Sequence, residues 1–269
     1  MFDNIISPGH DKSEQQHRAD LCVVGRWMYE CGFNVACEGN LSVRLREGRV
    51  LTTPTCMNKG MLAPEDLVII DLEGRQVGGD RKASSELAMH LLFYRMRPDV
   101  NAICHAHPPT ATGFAVAGRA LDQALLPEVI IGLGQIPLVK YGTPGTPELS
   151  AALEPCVPHY DALLLANHGA VTCGADLLTA FFRMETVEHF AQVSLATELL
   201  GKQVLLSGRD VEKLLAARVR YGTTTAAPVT STCPVTSDHV AGRSERISVT
   251  REELEALIEE AVRKDRAHR

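Results

Sequence analysis

A buried strand that ends in two histidines and two prolines constrains this chain more than any other stretch. Residues 103–109 read ICHAHPP and directly follow an apolar segment. Side chains on a strand alternate between its two faces, so His105 and His107 project from the same face. Prolines interrupt the hydrogen-bonded ladder, so the strand ends beside these imidazoles. Two imidazoles at this spacing can chelate one divalent metal ion.

A second strand end supplies a third imidazole. The apolar run 162–165 leads into Asn167-His168-Gly169. One histidine at a strand end is most often a hydrogen-bonded core residue, but two independent strand ends that both deliver imidazoles favour a metal site. Three ligands with an open fourth position are typical of catalytic rather than structural zinc. We therefore predict that His105, His107 and His168 bind Zn²⁺, for which Mn²⁺, Co²⁺ or Fe²⁺ could substitute.

The composition narrows the class of protein. The 269 residues carry a net charge of −6 and contain no basic run, which argues against a nucleic-acid partner. No stretch is long and apolar enough to span a bilayer, and the N-terminal residues do not resemble a secretory signal. The eight cysteines form no Cys-x-x-Cys motif and several lie in apolar runs, so we expect reduced thiols. These features favour a cytoplasmic protein without a membrane partner.

Residue patterns predict the helices and strands of one domain, residues 1–222. Apolar positions recur at helical spacing over 15–31, 84–97, 110–117, 148–153, 177–200 and 211–221. Short or alternating apolar runs predict strands over 41–45, 50–53, 67–71, 129–131, 136–139 and 162–165, besides the histidine strand. Glu47-Gly48 and Glu73-Gly74 are typical of the turns that join two strands into a hairpin.

The last part of the chain has a different character. Residues 223–247 begin as a stretch rich in Thr, Ser, Pro and Ala, which indicates a flexible linker. A capping-box pattern at Thr250 starts a charged amphipathic helix over 248–269. Its apolar stripe consists of Leu254, Leu257, Ile258, Ala261 and Val262. A short tethered helix cannot bury this stripe alone, so we expect it to dock on its own body, another subunit or a separate partner.

Five motifs occur together in a fixed order and spacing. They are Gly39-Asn40-Leu41-Ser42, Thr53-Pro54-Thr55, Ser84-Ser85-Glu86, His105-Ala106-His107 and Asn167-His168-Gly169. On these motifs the chain resembles the class II aldolase/adducin family, over roughly residues 14–222. The resemblance implies an α/β fold, a three-layer α/β/α sandwich with a mostly antiparallel central sheet. It also implies a homotetramer with its sites between subunits.

The resemblance assigns roles to individual residues. It makes the three histidines the zinc ligands and Glu86 the catalytic acid and base, which can also approach the metal. It implies a pocket for the substrate phosphate formed by Gly39, Asn40, Thr55, Ser84 and Ser85. From the residues alone, Ser84 and Ser85 could equally serve only to cap the following helix. Tyr221 is similar to a tyrosine that covers the site in family aldolases.

Three features depart from the family pattern. Cys56 stands where family aldolases usually carry glycine, so the phosphate would approach that backbone less closely. Glu128 falls near a tyrosine that, in an aldolase of this family, protonates the aldehyde oxygen from a neighbouring subunit. Glu128 could act as that acid, or the aldehyde half could differ. The C-terminal helix resembles the peptides that target enzymes to the shell proteins of bacterial microcompartments, although it could instead pack on the tetramer.

The resemblance implies cleavage of a small sugar-phosphate substrate, a ketose 1-phosphate. L-fuculose 1-phosphate or L-rhamnulose 1-phosphate would give dihydroxyacetone phosphate and L-lactaldehyde. Other reactions of the same site remain open: aldol cleavage of 5-deoxyribulose or methylthioribulose 1-phosphate, sugar-phosphate 4-epimerisation, and decarboxylation. A non-catalytic, adducin-like binding module would be expected to have lost its histidines, whereas His105, His107, His168 and Glu86 are all present.

Overall fold

The computed structural model describes residues 12–221, and these residues fold around a single eight-stranded sheet. The strands are β1 (Asn40–Arg44), β2 (Arg49–Thr52), β3 (Val68–Asp71), β4 (Gln76–Gly78), β5 (Ala102–Ala106), β6 (Leu138–Val139), β7 (Ala162–Leu165) and β8 (Gly169–Gly174). Their order across the sheet is β4-β3-β2-β1-β5-β8-β7-β6. Neighbouring strands are antiparallel except β6 and β7, which are parallel. The predicted mostly antiparallel sheet is confirmed.

Helices cover both faces of this sheet. They are α1 (Glu14–Glu30), α2 (Leu87–Met96), α3 (Pro109–Val116), α4 (Pro127–Gly132), α5 (Pro147–Leu153), α6 (Leu177–Leu199) and α7 (Gly208–Ala217). One apolar core joins the sheet to α1, α3, α4 and α6, and a second core joins it to α2 and α5. The fold is therefore the predicted α/β sandwich of three layers.

The alternation of side chains along β5 decides which layer each histidine faces. Cys104 and Ala106 belong to the core beneath α1, α3 and α6, whereas Ile103 belongs to the core beneath α2 and α5. His105 shares the face of Ile103, because side chains two positions apart on a strand project in the same direction. His105 therefore points into the layer that contains α2.

Local signals explain several element boundaries. Ser13 caps α1 and forms a capping box with Gln16. Glu47 and Gly48 both have positive φ, +60° and +68°, as the tight turn between β1 and β2 requires. Gly74 has φ +87° in the turn between β3 and β4. Both predicted hairpins are confirmed.

Two segments differ from the sequence prediction. The predicted strand over 129–131 is wrong, because these residues lie in helix α4. Pro127 occupies the first turn of α4, where its fixed φ is favourable, and the carboxylate of Glu128 lies near the positive end of the helix. A short apolar run alone does not distinguish a buried strand from a buried helix. Strand β8 was not predicted, since its sequence lacks polar and apolar alternation and is buried along its whole length.

Within residues 12–221, no helix combines the length and the apolar character needed to cross a bilayer. Six of the cysteines within residues 12–221 carry free thiols, as expected from the sequence. The predicted linker 223–247 and helix 248–269 lie outside the described residues.

Candidate metal centre

Three imidazoles converge where β5 ends. His105 lies in β5, His107 follows its last residue, and His168 lies in the turn between β7 and β8. The ring centroids are 5.1 Å apart for His105–His107, 4.7 Å for His105–His168 and 4.9 Å for His107–His168. One ligand nitrogen from each residue lies within 4.8 Å of the others. The structure thus brings together the three histidines that the sequence pattern selected.

Backbone pairing fixes this meeting point. Strand β8 pairs with β5, so that Ala106 lies opposite Ala170. The turn before β8 holds Asn167 at φ +56°, a left-handed conformation that asparagine tolerates better than most residues. A Cβ atom at Gly169 would lie 2.5 Å from the carbonyl oxygen of Ala106 and 2.6 Å from the ring of His107. Glycine at this position therefore lets the turn reach the end of β5.

The hydrogen bonds of the imidazoles leave ligand atoms free. Nδ1 of His105 donates to the carbonyl oxygen of Ala170 at 2.9 Å, so Nε2 of the neutral ring carries the lone pair. Nδ1 of His107 lies 3.2 Å from Oε2 of Glu38, and its Nε2 is buried without a hydrogen-bond partner. Nδ1 of His168 is also buried without a partner. Unpaired, buried imidazole nitrogens in one cluster are the donor set that a divalent metal ion requires.

The carboxylate of Glu86 lies between two of these rings. Glu86 precedes α2 directly; its Oε2 is 3.1 Å from Nε2 of His105 and its Oε1 is 3.1 Å from Nε2 of His168. Nδ2 of Asn40 donates to Oε2 at 2.8 Å and fixes the orientation of the carboxylate. Carboxylate oxygens and imidazole lone pairs in contact need a positive charge between them, either protons or a cation. The residues present therefore fit a bound metal ion.

Burial and neighbouring charges shift the pKa values of the residues in this cluster in different directions. Burial opposes the ionisation of Glu86, yet the adjacent His105 and His168 outweigh it and hold the pKa of Glu86 well below its usual range. Burial likewise opposes a charge on His105, but the Glu86 carboxylate raises the pKa of His105. Burial, followed by repulsion from His105 and His168, lowers the pKa of His107 to about 3. Glu86 is therefore held ionised and His107 neutral, the states in which both can bind a cation.

A second buried hydrogen-bond chain lies behind Glu86. Oγ of Ser42 is 2.7 Å from Nδ1 of His90 and 2.8 Å from the hydroxyl of Tyr94. The hydroxyl of Tyr94 can donate to Oγ of Ser42, and the hydroxyl of Ser42 can then donate to Nδ1 of His90. In this arrangement the neutral ring of His90 carries its proton on Nε2. Nε2 of His90 is buried without a partner. Burial, together with repulsion from His105, lowers the pKa of His90 to about 3, so this imidazole is neutral.

Comparison with known proteins identifies the family. The model of the Class II Aldolase and Adducin N-terminal domain matches residues 19–195. The chain belongs to the class II aldolase and adducin family.

Its relatives include enzymes of two reaction types. A 3-oxo-tetronate 4-phosphate decarboxylase of Haemophilus influenzae is 38% identical over 175 residues, 63% of this chain and 82% of that relative. A 5-deoxy-D-ribulose 1-phosphate aldolase of Bacillus thuringiensis is 34% identical over 209 residues, 77% of this chain and 98% of that relative. A solved L-fuculose 1-phosphate aldolase has 31% identity and a TM-score of 0.70, and the match covers 78% of this chain and 98% of that structure. Aldolases and decarboxylases are both lyases, and this class II aldolase family member is a lyase.

The residues that the family resemblance assigns to phosphate binding lie around Glu86. Asn40 is opposite His105 in the β1–β5 pair, and Oγ of Ser84 accepts a hydrogen bond from the backbone N–H of Glu86 at 3.3 Å. The backbone N–H of Thr55 donates to the carbonyl oxygen of Lys82 at 3.0 Å, so the loop after β2 lies against the segment that precedes Glu86.

Two more of these residues border the same region. Ser85 is exposed, and Gly39 has φ +66° with the side chain of Asn34 packed against its Cα. Glycine at position 39 is therefore required both by its backbone conformation and by lack of space. Phosphate binding by these residues stays a prediction.

The three departures from the family pattern have different surroundings. Cys56 has φ +56°, a conformation that favours glycine, and its thiol is exposed. Glu128 is exposed in the first turn of α4, and no contact joins it to the histidine cluster within residues 12–221. Tyr221 ends the short 3₁₀ turn Arg218–Tyr221 after α7, and its side chain lies outside what the structure describes. The catalytic roles of Glu128 and Tyr221 stay predictions.

Several polar residues at this centre were not predicted from the sequence. They are Asn34, Glu38, Ser42, Lys59 and His90. A usable signal existed for His90, because it lies four residues after Glu86 and therefore on the same face of a helix. Ser42 is two residues after Asn40 on β1 and shares its face. No comparable local pattern marks Asn34, Glu38 or Lys59, whose positions depend on how separate loops pack.

Proposed function

We propose that this protein is a metal-dependent lyase that cleaves a ketose 1-phosphate to dihydroxyacetone phosphate and a small aldehyde. L-fuculose 1-phosphate and L-rhamnulose 1-phosphate, which would give L-lactaldehyde, are the first substrates to test. The observation that carries the proposal is the carboxylate of Glu86, oriented by Asn40, between His105 and His168 in a cluster of three imidazoles.

The substrates named for the relatives support a phosphorylated substrate. Fuculose phosphate, 5-deoxyribulose 1-phosphate and 3-oxo-tetronate 4-phosphate are all small phosphorylated sugars or sugar acids. In each 1-phosphate or 4-phosphate compound a carbonyl carbon lies next to the phosphate-bearing carbon. On its other side the carbonyl carbon is bonded to a carbon that carries a hydroxyl. Cleavage of the next bond, beyond this hydroxyl-bearing carbon, leaves the same three-carbon fragment from each compound, dihydroxyacetone phosphate. The departing part is an aldehyde in the aldolase reactions and carbon dioxide in the decarboxylase reaction.

The residues of this chain fit that chemistry. A divalent cation held by His105, His107 and His168 would supply Lewis-acid polarisation of the substrate carbonyl. After taking up a proton from solvent, Glu86 would donate it to the carbon that keeps the electron pair of the broken bond; as a carboxylate it would remove that proton in the reverse direction. The hydrogen bond from Asn40 keeps one oxygen of the carboxylate fixed during this exchange. Zn²⁺ is the cation that three imidazoles favour, and Mn²⁺, Co²⁺ or Fe²⁺ are alternatives.

Aldol cleavage also needs a proton acceptor. As the carbon–carbon bond breaks, the hydroxyl that becomes the aldehyde must lose its proton. We propose Tyr221 or Glu128 for this step, with Glu128 reaching the site of a neighbouring subunit in a homotetramer. Its exposure in α4 is compatible with a role across a subunit interface. Gly39, Asn40, Thr55, Ser84 and Ser85 would hold the phosphate and so position the carbonyl.

Decarboxylation of a 3-oxo acid phosphate is the second candidate. It is favoured by the 38% identity to the Haemophilus influenzae decarboxylase. Loss of carbon dioxide needs no hydroxyl deprotonation, so it requires neither Tyr221 nor Glu128. The two reactions therefore place different demands on the same chain.

Product analysis separates the two candidates. Metal-loaded protein is incubated with L-fuculose 1-phosphate, L-rhamnulose 1-phosphate, 5-deoxy-D-ribulose 1-phosphate and 3-oxo-tetronate 4-phosphate in parallel. Dihydroxyacetone phosphate is measured by enzymatic reduction, and the other product by NMR. Equimolar aldehyde supports the aldolase, equimolar carbon dioxide supports the decarboxylase, and no dihydroxyacetone phosphate from any of the four contradicts both.

We propose a cytoplasmic homotetramer whose segment 248–269 binds a microcompartment shell protein through its apolar stripe. Enclosure would suit an enzyme that releases a reactive, diffusible aldehyde. The support for this part is the sequence pattern of the segment alone.

A further inference from the structure

Lys59 is a buried cation that forms no ion pair within residues 12–221. The residue is 2% exposed and begins the short 3₁₀ helix Lys59–Met61. Nζ donates to the carbonyl oxygen of Met57 at 2.6 Å and to that of Cys37 at 2.9 Å. Both of these contacts of Nζ are carbonyl oxygens, and the carboxylate of Glu86 acts on this ammonium only from beyond ion-pair distance. Burying an unpaired ammonium is unfavourable, so its presence suggests that an anion binds nearby.

The two carbonyl partners of Lys59 place the ammonium between two functional loops. Cys37 is two residues before Gly39, and Met57 is two residues after Thr55. Both loops therefore carry residues that the family resemblance assigns to the substrate phosphate. An ammonium has three N–H donors, and the two carbonyl bonds leave the third available for a ligand.

The electrostatic setting supports the same conclusion. Lys59 interacts through its charge with both Glu86 and His105, which places it within range of the metal centre. The phosphate residues implied by the family are hydroxyls, an amide and a glycine, so they supply hydrogen bonds but no formal positive charge. Next to them, both polar side-chain atoms of the buried Asn34 lack a partner. A dianionic ligand at this place would gain most from a fixed cation.

We propose that Lys59 is the cation that binds the phosphate group of the substrate and thereby selects phosphorylated over unphosphorylated substrates. This inference rests on the proposed function only in taking a phosphorylated sugar as the substrate. Burial lowers the pKa of Lys59, and a bound dianion would stabilise its charged form.

The test is an affinity measurement with sn-glycerol 3-phosphate as the probe. Calorimetry compares metal-loaded wild-type protein with Lys59→Met, which keeps the length of the side chain and removes its charge. Lys140→Met is the matched control, because it removes the same charge from an exposed position. We expect Lys59→Met to weaken binding roughly tenfold or more while metal content and the control variant stay unchanged.

The salt dependence separates charge from loop positioning. If Lys59 only held the two loops together, Lys59→Met would weaken binding but keep the wild-type dependence of affinity on ionic strength. We expect this dependence to become shallower, because one cation is lost from the binding site. Unchanged affinity, or weaker binding with the wild-type salt dependence, would overturn the proposal.

A measurement on wild-type protein covers the case in which Lys59→Met does not fold. The lysine Nζ signals are followed by NMR during titration with sn-glycerol 3-phosphate, where buried Lys59 gives an exchange-protected signal. The signal of Lys59 should shift, whereas that of Lys140 should not, and an unmoved Lys59 signal contradicts the inference. Binding that depends on Lys59 without release of dihydroxyacetone phosphate would contradict the proposed reaction but not the role of Lys59.

Discussion

His90 illustrates how single buried residues set the properties of this centre. Its ring is fully enclosed, bonded through Nδ1 to Ser42, and neutral because burial lowers its pKa to about 3. In the unfolded chain a histidine has a pKa of about 6.5. Between these two values the unfolded state binds a proton that the folded state does not. The free energy of unfolding must therefore fall as the pH decreases through this range.

The acid sensitivity of stability tests this account of His90. From about pH 7.5 to about pH 5, His90 alone should lower the free energy of unfolding by about 2 kcal/mol. His90→Gln removes this contribution, so urea unfolding of the metal-free variant should show a correspondingly smaller loss between these pH values. His159→Gln, at an exposed position, serves as the control. Wild-type acid sensitivity in His90→Gln would show that His90 is not held neutral by the fold.

Residues differ in how well the sequence predicts them. His105 and His107 are related by a local spacing, so the alternation of a strand suffices to place them together. His168 was found because it also follows an apolar run. Lys59 begins the short 3₁₀ helix Lys59–Met61, and its burial results from packing against α1 and from carbonyls of two separate segments. No local pattern contains that information.

At the scale of elements, helix α3 depends on a side chain from α6. Pro108 at the N-cap of α3 offers no side-chain hydrogen bond, so the first N–H groups of the helix lack a local acceptor. The buried carboxylate of Glu188 accepts from the backbone N–H of Thr110 at 3.1 Å and of Ala111 at 2.9 Å. Because α3 begins two residues after His107, Glu188 indirectly supports one of the metal ligands.

Replacement of Glu188 should therefore affect both stability and metal binding. Glu188→Ala leaves buried N–H groups without an acceptor, and we expect the free energy of unfolding to fall by roughly 2–4 kcal/mol. Metal affinity should fall as well, because the segment after His107 is released. Urea unfolding and a zinc titration measure the two effects, and Glu185→Ala on the same helix is the control. Wild-type stability in Glu188→Ala would contradict this role.

Helix α4 and strand β8 show where prediction of elements fails. Val129 and Ile130 are apolar neighbours, and only the start signal at Pro127 identifies their segment as helical. Strand β8 lies between β5 and β7, where both faces are covered, so it shows no alternation. For β8 the position in the sheet determines the outcome, whereas for α4 the deciding signal is local and lies at Pro127.

At the scale of the whole molecule, the described residues contain the complete candidate centre. The three histidines, Glu86 and Asn40 all lie between residues 40 and 168. Removal of residues 223–269 should therefore leave metal content, release of dihydroxyacetone phosphate and the oligomeric state unchanged. Light scattering and the activity assay measure these properties.

The same truncation tests the proposed shell partner. The truncated enzyme should no longer bind purified shell protein in a pull-down assay, whereas the full chain should bind it. A truncated enzyme that loses activity or dissociates would contradict a targeting role and would indicate that the segment packs on the body.

The most direct test of the central claim is release of dihydroxyacetone phosphate as zinc is added to chelator-treated protein. The preferred ketose 1-phosphate serves as the substrate. We predict that the rate increases in proportion to zinc and stops rising at about one ion per chain, because three imidazoles form one site. Glu86→Gln should bind zinc but lose most of this activity, by a factor of about 10² or more. Full activity without metal, or in Glu86→Gln, would contradict the assignment of this centre as the site of the lyase reaction.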